Sequence, residues 1–347
     1  MTRFGRVWVL LLMAAAMGCA GTGGAPGWVN GTRPAEFPEA RYVSAIGLGE
    51  TLSAAQIAAK GELSRVFSAK LASEIELIDR ENVVDGASST SSDLIDQTRI
   101  TSDLELQGVE VPLHWRDPKT GQIWALAVLE KNTECLRIRS EGRDLVTELD
   151  GHVDVARTEP NPLVAVRASV DAVRLGTALD GLQARSRVLG TQCVPARQVS
   201  TGQLKSEAAD RLAGLTFVVR TADVDPRSGR ATDELPQLRE QIAGNLSELG
   251  FQVGPASGAR VIPVNARLRL SRVERGTDWV EYRYEGSAEV GSPFRGEPAL
   301  IIVETSGAES HPEPSSARLR ARRAGERDLA HQLDRRIQAF LEENAVE

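Results

Sequence analysis

The sequence predicts an α+β fold, with two small modules of antiparallel sheet packed with helices and a helical hairpin joining them. Three observations predict it. Runs with a two-residue alternation of side chains recur near both ends of the chain, separated by turn residues. Stripes of apolar residues three and four apart mark helices beside those runs. A middle stretch carries only helix-period stripes, interrupted by Pro160 and Pro162. The 347 residues suffice for more than one domain, and a hydrophobic fraction of 41 % allows each to bury a core. Aromatics make up only 4 %, so those cores rest on Leu, Val, Ile and Ala.

The first strand, Arg41 to Gly47, sets Tyr42, Ser44 and Ile46 against Val43 and Ala45, and Gly47 and Gly49 turn the chain. Ser53 is the expected N-cap of a long helix whose Ala59, Leu63, Val66, Phe67, Leu71, Ile75 and Ile78 face one core. One more strand is expected near residues 98–106. A hairpin follows: Val109, Val111, Leu113 and Trp115 alternate, Asp117 to Gly121 turns, and Ile123 to Leu129 returns. In the middle stretch Leu145, Leu149, Val153 and Ala156 form one helical stripe. Beyond the prolines, Val166, Val170, Val173, Leu179 and Leu182 form a second, so two antiparallel helices are expected.

The last module reads as a helix (Leu204 to Leu212), a strand (Leu215 to Arg220), a helix (Leu235 to Leu249) closed by Gly250, a meander and a terminal helix. In the meander, Arg267 and Arg269 alternate with Ala266, Leu268 and Leu270, and Glu281, Arg283 and Glu285 with Val280, Tyr282 and Tyr284. Charges on neighbouring strands are thereby set to pair across the sheet. The apolar run Leu300 to Val303 suits a central strand. Ala330, Leu333, Ile337, Phe340 and Leu341 share one face of the last helix. The boundaries read as signal 1–18, tether 19–36, first module 37–132, helical hairpin 133–196 and last module 197–347.

Arg3 and Arg6 precede an apolar run from Val7 to Met17, too short to span a bilayer and suited to a secretory signal. It ends in Ala16-Met17-Gly18-Cys19, which resembles the lipobox of bacterial lipoproteins. The resemblance implies cleavage before Cys19, a diacylglycerol thioether on its sulfur and an acyl chain such as palmitate on its amino group. Several chains anchor far more firmly than one. Ala20, where inner-membrane retention uses Asp, implies sorting to the outer membrane, facing the periplasm. Ala20 to Gly27, with little side chain to bury, reads as a flexible tether.

Pro26-Gly27-Trp28-Val29, Tyr42 to Gly47, the helix of Ala55 and Ala59, and Gly121 to Val128 together resemble the twenty-kilodalton outer-membrane lipoprotein family. The N-terminal domain of the periplasmic flagellar T-ring protein shows a related pattern. The likeness covers roughly residues 26–132. Leu246 to Val253, a helix-Gly-strand step, resembles the amino-terminal domain of the Tol system's propeller protein and the lipoproteins that activate peptidoglycan synthases. These resemblances imply a protein that binds other envelope proteins or peptidoglycan-associated machinery and is no enzyme.

The formal charge of −7 argues against nucleic acid as a partner. Gly47-Leu48-Gly49 lacks the third glycine of a dinucleotide fingerprint, because Leu52 stands there, and a strand-to-helix turn explains it. His114, His152, His311 and His331 are scattered, so neither a metal nor a cofactor is expected, and no catalytic residue is assigned. Asp223 and Asp225 read as loop charges, Glu281 and Glu285 as sheet-surface charges. Arg318, Arg322, Arg323 and Arg327 on the last helix are a candidate face for an anionic partner, against the plainer reading of a solvated face interleaved with Glu326 and Asp328.

Cys135 and Cys193 are the cysteines left after acylation, and an oxidising periplasm permits them to pair. In ideal helices turning near Asn161, Cys193 lies six residues farther from the turn, about 9 Å of rise. A disulfide does not span that unless Gly142 or Gly190 breaks a helix. A bridge and two free thiols are both compatible with the sequence. The readings in contention are a non-enzymatic scaffold or regulator and a small-molecule or glycan-binding lipoprotein.

Overall fold

The computed structural model describes residues 24–84, 106–255, 261–274, 279–291 and 298–342. The fold is α+β: among the described residues there are six α-helices, a three-stranded antiparallel sheet and a five-stranded mixed sheet. The chain divides into two compact units, one of Met1–Ala69 with Leu104–Glu134 and one of Lys70–Asp103 with Cys135–Glu347. Cys19 and the strand expected near residues 98–106, apart from Leu106, lie outside the described residues.

In the first unit, β1 (Tyr42–Gly49), β2 (Glu110–Arg116) and β3 (Ile123–Glu130) form the sheet in the order β1-β3-β2. Helix α1 (Leu52–Val84) begins in this unit. Its cap is Thr51 rather than Ser53: the Thr51 hydroxyl accepts from the Ala54 N–H at 3.2 Å. Ala55, Ala59, Leu63 and Phe67 are buried along α1, and Ala125, Ala127 and Leu129 are buried on β3. Gly47 and Gly49 are the residues that let helix and sheet meet. A Cβ on Gly47 would lie 2.0 Å from the Ala59 nitrogen, and one on Gly49 would lie 2.4 Å from that of Ala55. The glycines serve close backbone approach, and the turn expected of them falls after Gly49.

In the second unit, α2 (Lys131–Thr158) and α3 (Pro162–Val188) are the two expected helices, with Asn161 capping α3 by accepting from the Leu163 N–H at 3.1 Å. They are part of this unit's core and not a separate link, because Leu149, Val153, Leu163 and Val166 pack in one cluster with the sheet residues Phe217, Leu268 and Val303. Then come α4 (Thr201–Ala213), β4 (Thr216–Val224), α5 (Pro236–Glu248), β5 (Gln252–Val253), β6 (Val261–Val273), β7 (Val280–Val290), β8 (Ile301–His311) and α6 (Pro314–Glu342).

The strand order is β5-β4-β6-β7-β8, and β4 runs parallel to both its neighbours. The second sheet is therefore mixed, not antiparallel throughout. The reason is α5, which carries the chain from β4 back to the start of β5 and so makes the next strand parallel. The apolar run at Leu300 begins an edge strand, not a central one. Ile301 and Val303 face the helices, while Ile302 is 60 % exposed.

Candidate functional site

Helices cover one face of the five-stranded sheet, where Phe217, Ile262, Val264, Ala266 and Leu268 are buried. The other face is polar, and it holds a cleft of about 770 Å³. Strand alternation places Arg267 and Arg269 of β6, Glu285 and Ser287 of β7, and Glu304 and Ser306 of β8 along it. Register orders them into two rows: Arg267 opposite Ser287 opposite Glu304, and Arg269 opposite Glu285 opposite Ser306. Arg269 reaches Glu285 at 3.7 Å, and its other terminal nitrogen donates to the Pro226 carbonyl at 2.8 Å. Among the described residues neither Arg267 nor Glu304 has an ion-pair partner; they stand two strand spacings apart, about 10 Å.

Behind this sheet lies a buried ionic cluster that sequence reasoning missed. Asp223 is 6 % exposed and points at the core, because β4 continues past Arg220 and the two-residue period turns this position inward. Its carboxylate accepts from the Arg322 guanidinium at 2.5 Å. Glu326, one turn further along α6, is 4 % exposed, and burial pushes its carboxyl above the usual carboxylate range against the pull of Arg322. On the opposite face, that of Arg283 and Glu285, Glu281 is buried too and is not the surface charge expected. Tyr284 packs against Gly307 and Gly325 and donates to Asp328 at 2.5 Å; burial and that carboxylate push its phenol up to about 12.

The four arginines singled out on the last helix do not form one face. Arg322 is turned to Asp223, and on a helix of 3.6 residues per turn Arg318 lies about 140° from Arg323 and about 180° from Arg327. Arg318, Arg323 and Arg327 are exposed, and the solvent ridge that Arg323 and Arg327 occupy continues through Arg320 and Arg335.

Cys135 and Cys193 are joined in a disulfide. Helix α3 ends at Val188, and Gly190, with a left-handed φ of 68°, turns the chain so that Cys193 comes back beside the start of α2. The histidines are not brought together. His152 lies 3.8 Å from the buried Asp171, whose carboxyl is pushed up by burial, and His311 accepts from the Glu313 N–H at 3.0 Å. His114 and His331 are exposed on β2 and α6. Among the described residues no group of His, Cys, Asp and Glu is placed to hold a metal ion, and no helix is long and apolar enough to cross a membrane.

In the first unit, the sheet face away from α1 is apolar. Directly opposed residues form the rows Ile46–Leu126–Leu113 and Leu48–Trp124–Trp115. Trp28, in a 3-10 turn at Gly27–Asn30, packs with Leu126 and Val128, and Phe37 meets Tyr42 edge-on at 5.2 Å. Trp28 is buried, Trp115 and Trp124 are half-buried, and Leu48 is 41 % exposed.

No family model matches the sequence. No curated protein matches it either. The solved structures similar at a low level include these two. One is a secreted protein of the human pathogen Helicobacter pylori, 11 % identical, with a TM-score of 0.38 over 88 % of this chain and 99 % of that one. The other is a minor lipoprotein of Acinetobacter baumannii, 16 % identical, with a TM-score of 0.27 over 37 % of this chain and 93 % of that one. Likeness at this level carries no argument about function.

Proposed function

We propose that this chain is an outer-membrane lipoprotein, anchored through Cys19 on the periplasmic side, that acts by binding another envelope component and not by catalysis. The anchor rests on the basic, apolar and lipobox-like segments that end at Cys19. Export is supported by the Cys135–Cys193 bond, since disulfides persist in oxidising compartments. The observation that carries the binding reading is the cleft on the free face of the five-stranded sheet. It is open and polar, and at its two sides stand Arg267 and Glu304, which have no ion-pair partner among the described residues. An extended chain with its own carboxylates and cations fits such a surface. Ser287, between Arg267 and Glu304, and Ser306, beside Glu285, favour a glycan strand as the second reading.

The test is cross-linking capture in cells with the Arg267→Glu, Arg269→Glu double variant. Both side chains are exposed, so the fold should hold. A partner, protein or glycan, should be captured by the parent and lost by the variant. An unchanged set of captured species would overturn the cleft as the binding seat. Replacing Cys19 by Ser should release an uncut or soluble protein, and full membrane retention of that variant would overturn the anchor.

A further inference from the structure

We infer that the apolar sheet face of the first unit lies on the membrane, with Trp115 and Trp124 in the headgroup region of the bilayer to which Cys19 is proposed to be attached. The inference rests on that proposed anchor, and two observations select this face. The first is chain length. The described chain opens at Gly24, five residues after Cys19, and five extended residues reach at most about 18 Å. Four residues later the chain is fastened to this same face, where Trp28 packs on Leu126 and Val128. A lipid on Cys19 therefore keeps Gly24, and the sheet face that follows it, close to the bilayer.

The second observation is the chemistry of the row beside Trp28. Leu48, Trp124 and Trp115 lie side by side across three strands at the end of the sheet nearest the Asp117–Gln122 turn, and all are partly exposed. Lys119, in the turn that adjoins the row, is exposed. Half-buried tryptophans beside a lysine are a composition that membrane–water interfaces favour: the indole body sits among acyl-chain ends, its N–H and the cation among headgroups.

The experiment uses the lipidated mature protein in vesicles of phosphatidylethanolamine and phosphatidylglycerol whose acyl chains are brominated. Flotation first shows whether the protein is anchored. Tryptophan emission is then compared for a Trp279→Phe parent and the same protein carrying Trp115→Phe and Trp124→Phe, changes that keep a ring at each site. The parent should be quenched by the brominated lipid, and the double change should remove at least about half of that quenching. If the protein floats with the vesicles but lipid leaves the parent unquenched, the inference is wrong while the anchor stands. That holds equally if iodide is excluded without lipid quenching, which would assign the face to a protein partner or a second copy. Quenching that survives the double change also overturns it, since the contact then lies elsewhere. If the protein does not float, the anchor fails and the inference with it.

Discussion

Replacing Arg322 by Leu isolates the buried cluster on α6. Removing one partner of a buried ion pair leaves the other charge uncompensated, which costs about 3–5 kcal/mol when both are fully enclosed. Here the Asp223 side chain is 8 % exposed but that of Arg322 is 33 % exposed, so solvent already screens part of the interaction. A loss of about 2–3 kcal/mol at neutral pH is expected. Urea unfolding followed by circular dichroism measures it as a lowered midpoint at unchanged slope.

The pH dependence separates this cause from lost packing. Glu326 has its folded pKa raised by burial. A group of that kind contributes its full stability below the unfolded carboxylate pKa and loses it as pH rises through the folded value. Without Arg322, Asp223 loses the guanidinium it is bonded to, and Glu326 keeps only the weaker pull of Arg323 against its burial. The destabilisation by Arg322→Leu should therefore be small near pH 4 and grow toward pH 7. Glu326→Gln, which removes the ionisation and keeps the shape, should be neutral or stabilising at pH 7, with no gain at pH 4. An Arg322→Leu cost that stays the same from pH 4 to pH 7 would refute the electrostatic account.

Two further outcomes are expected. Gly47→Val should destabilise the first unit by at least about 3 kcal/mol, because its side chain would enter the backbone of α1 at Ala59; thermal unfolding that matches the parent would show the helix can retreat. Replacing His114, His152 or His331 singly by Gln should leave the cellular role intact in a complementation assay. One such variant that abolishes the role while staying folded and abundant would point to an active site.

The elements were legible where one period dominates. The hairpin at Asp117–Gly121 and the stripes of Leu149, Val153, Val166 and Val170 needed only local rules, since their burial follows the expected faces. Strand order was not legible. The helix-Gly-strand step at Leu246–Val253 is a parallel crossover, but nothing in a single strand's alternation states whether its neighbour runs with or against it. The cleft was half legible: the alternation of Arg267, Arg269 and Glu285 put them on one face, and only register shows Ser287 and Ser306 completing the rows. Asp223 was misread because polar residues near a turn look like loop, and β4 in fact runs on to Val224. The arginine face was misread because adjacent i,i+4 pairs look like one stripe, although helical rotation separates them.

The disulfide and Arg197 fasten the same short segment of the second unit, and this makes the origin of their stabilisation testable. Cys193 holds the segment to Cys135 on α2. Four residues later Arg197 donates to Asp180 of α3 at 2.6 Å and to the Gly176 carbonyl and the Thr201 hydroxyl at 3.0 Å, while Asn82 of α1 donates to the same Asp180 at 2.9 Å. The bond closes a loop of 58 residues, for which chain entropy alone implies about 4 kcal/mol. That contribution acts on the unfolded chain, whereas Arg197 acts in the folded one by neutralising a carboxylate that is 3 % exposed. If so, the losses from Cys135→Ser with Cys193→Ser and from Arg197→Leu should add to within about 0.5 kcal/mol, despite their closeness in space. Suppose instead that the bond works by holding the segment in place for Arg197. Breaking it would then already loosen the Asp180 contact, and the combined loss would fall short of the sum by more than about 1 kcal/mol. Denaturant unfolding of the parent, the double-serine variant, Arg197→Leu and the combination decides between them, and a shortfall of that size would sink the unfolded-state account.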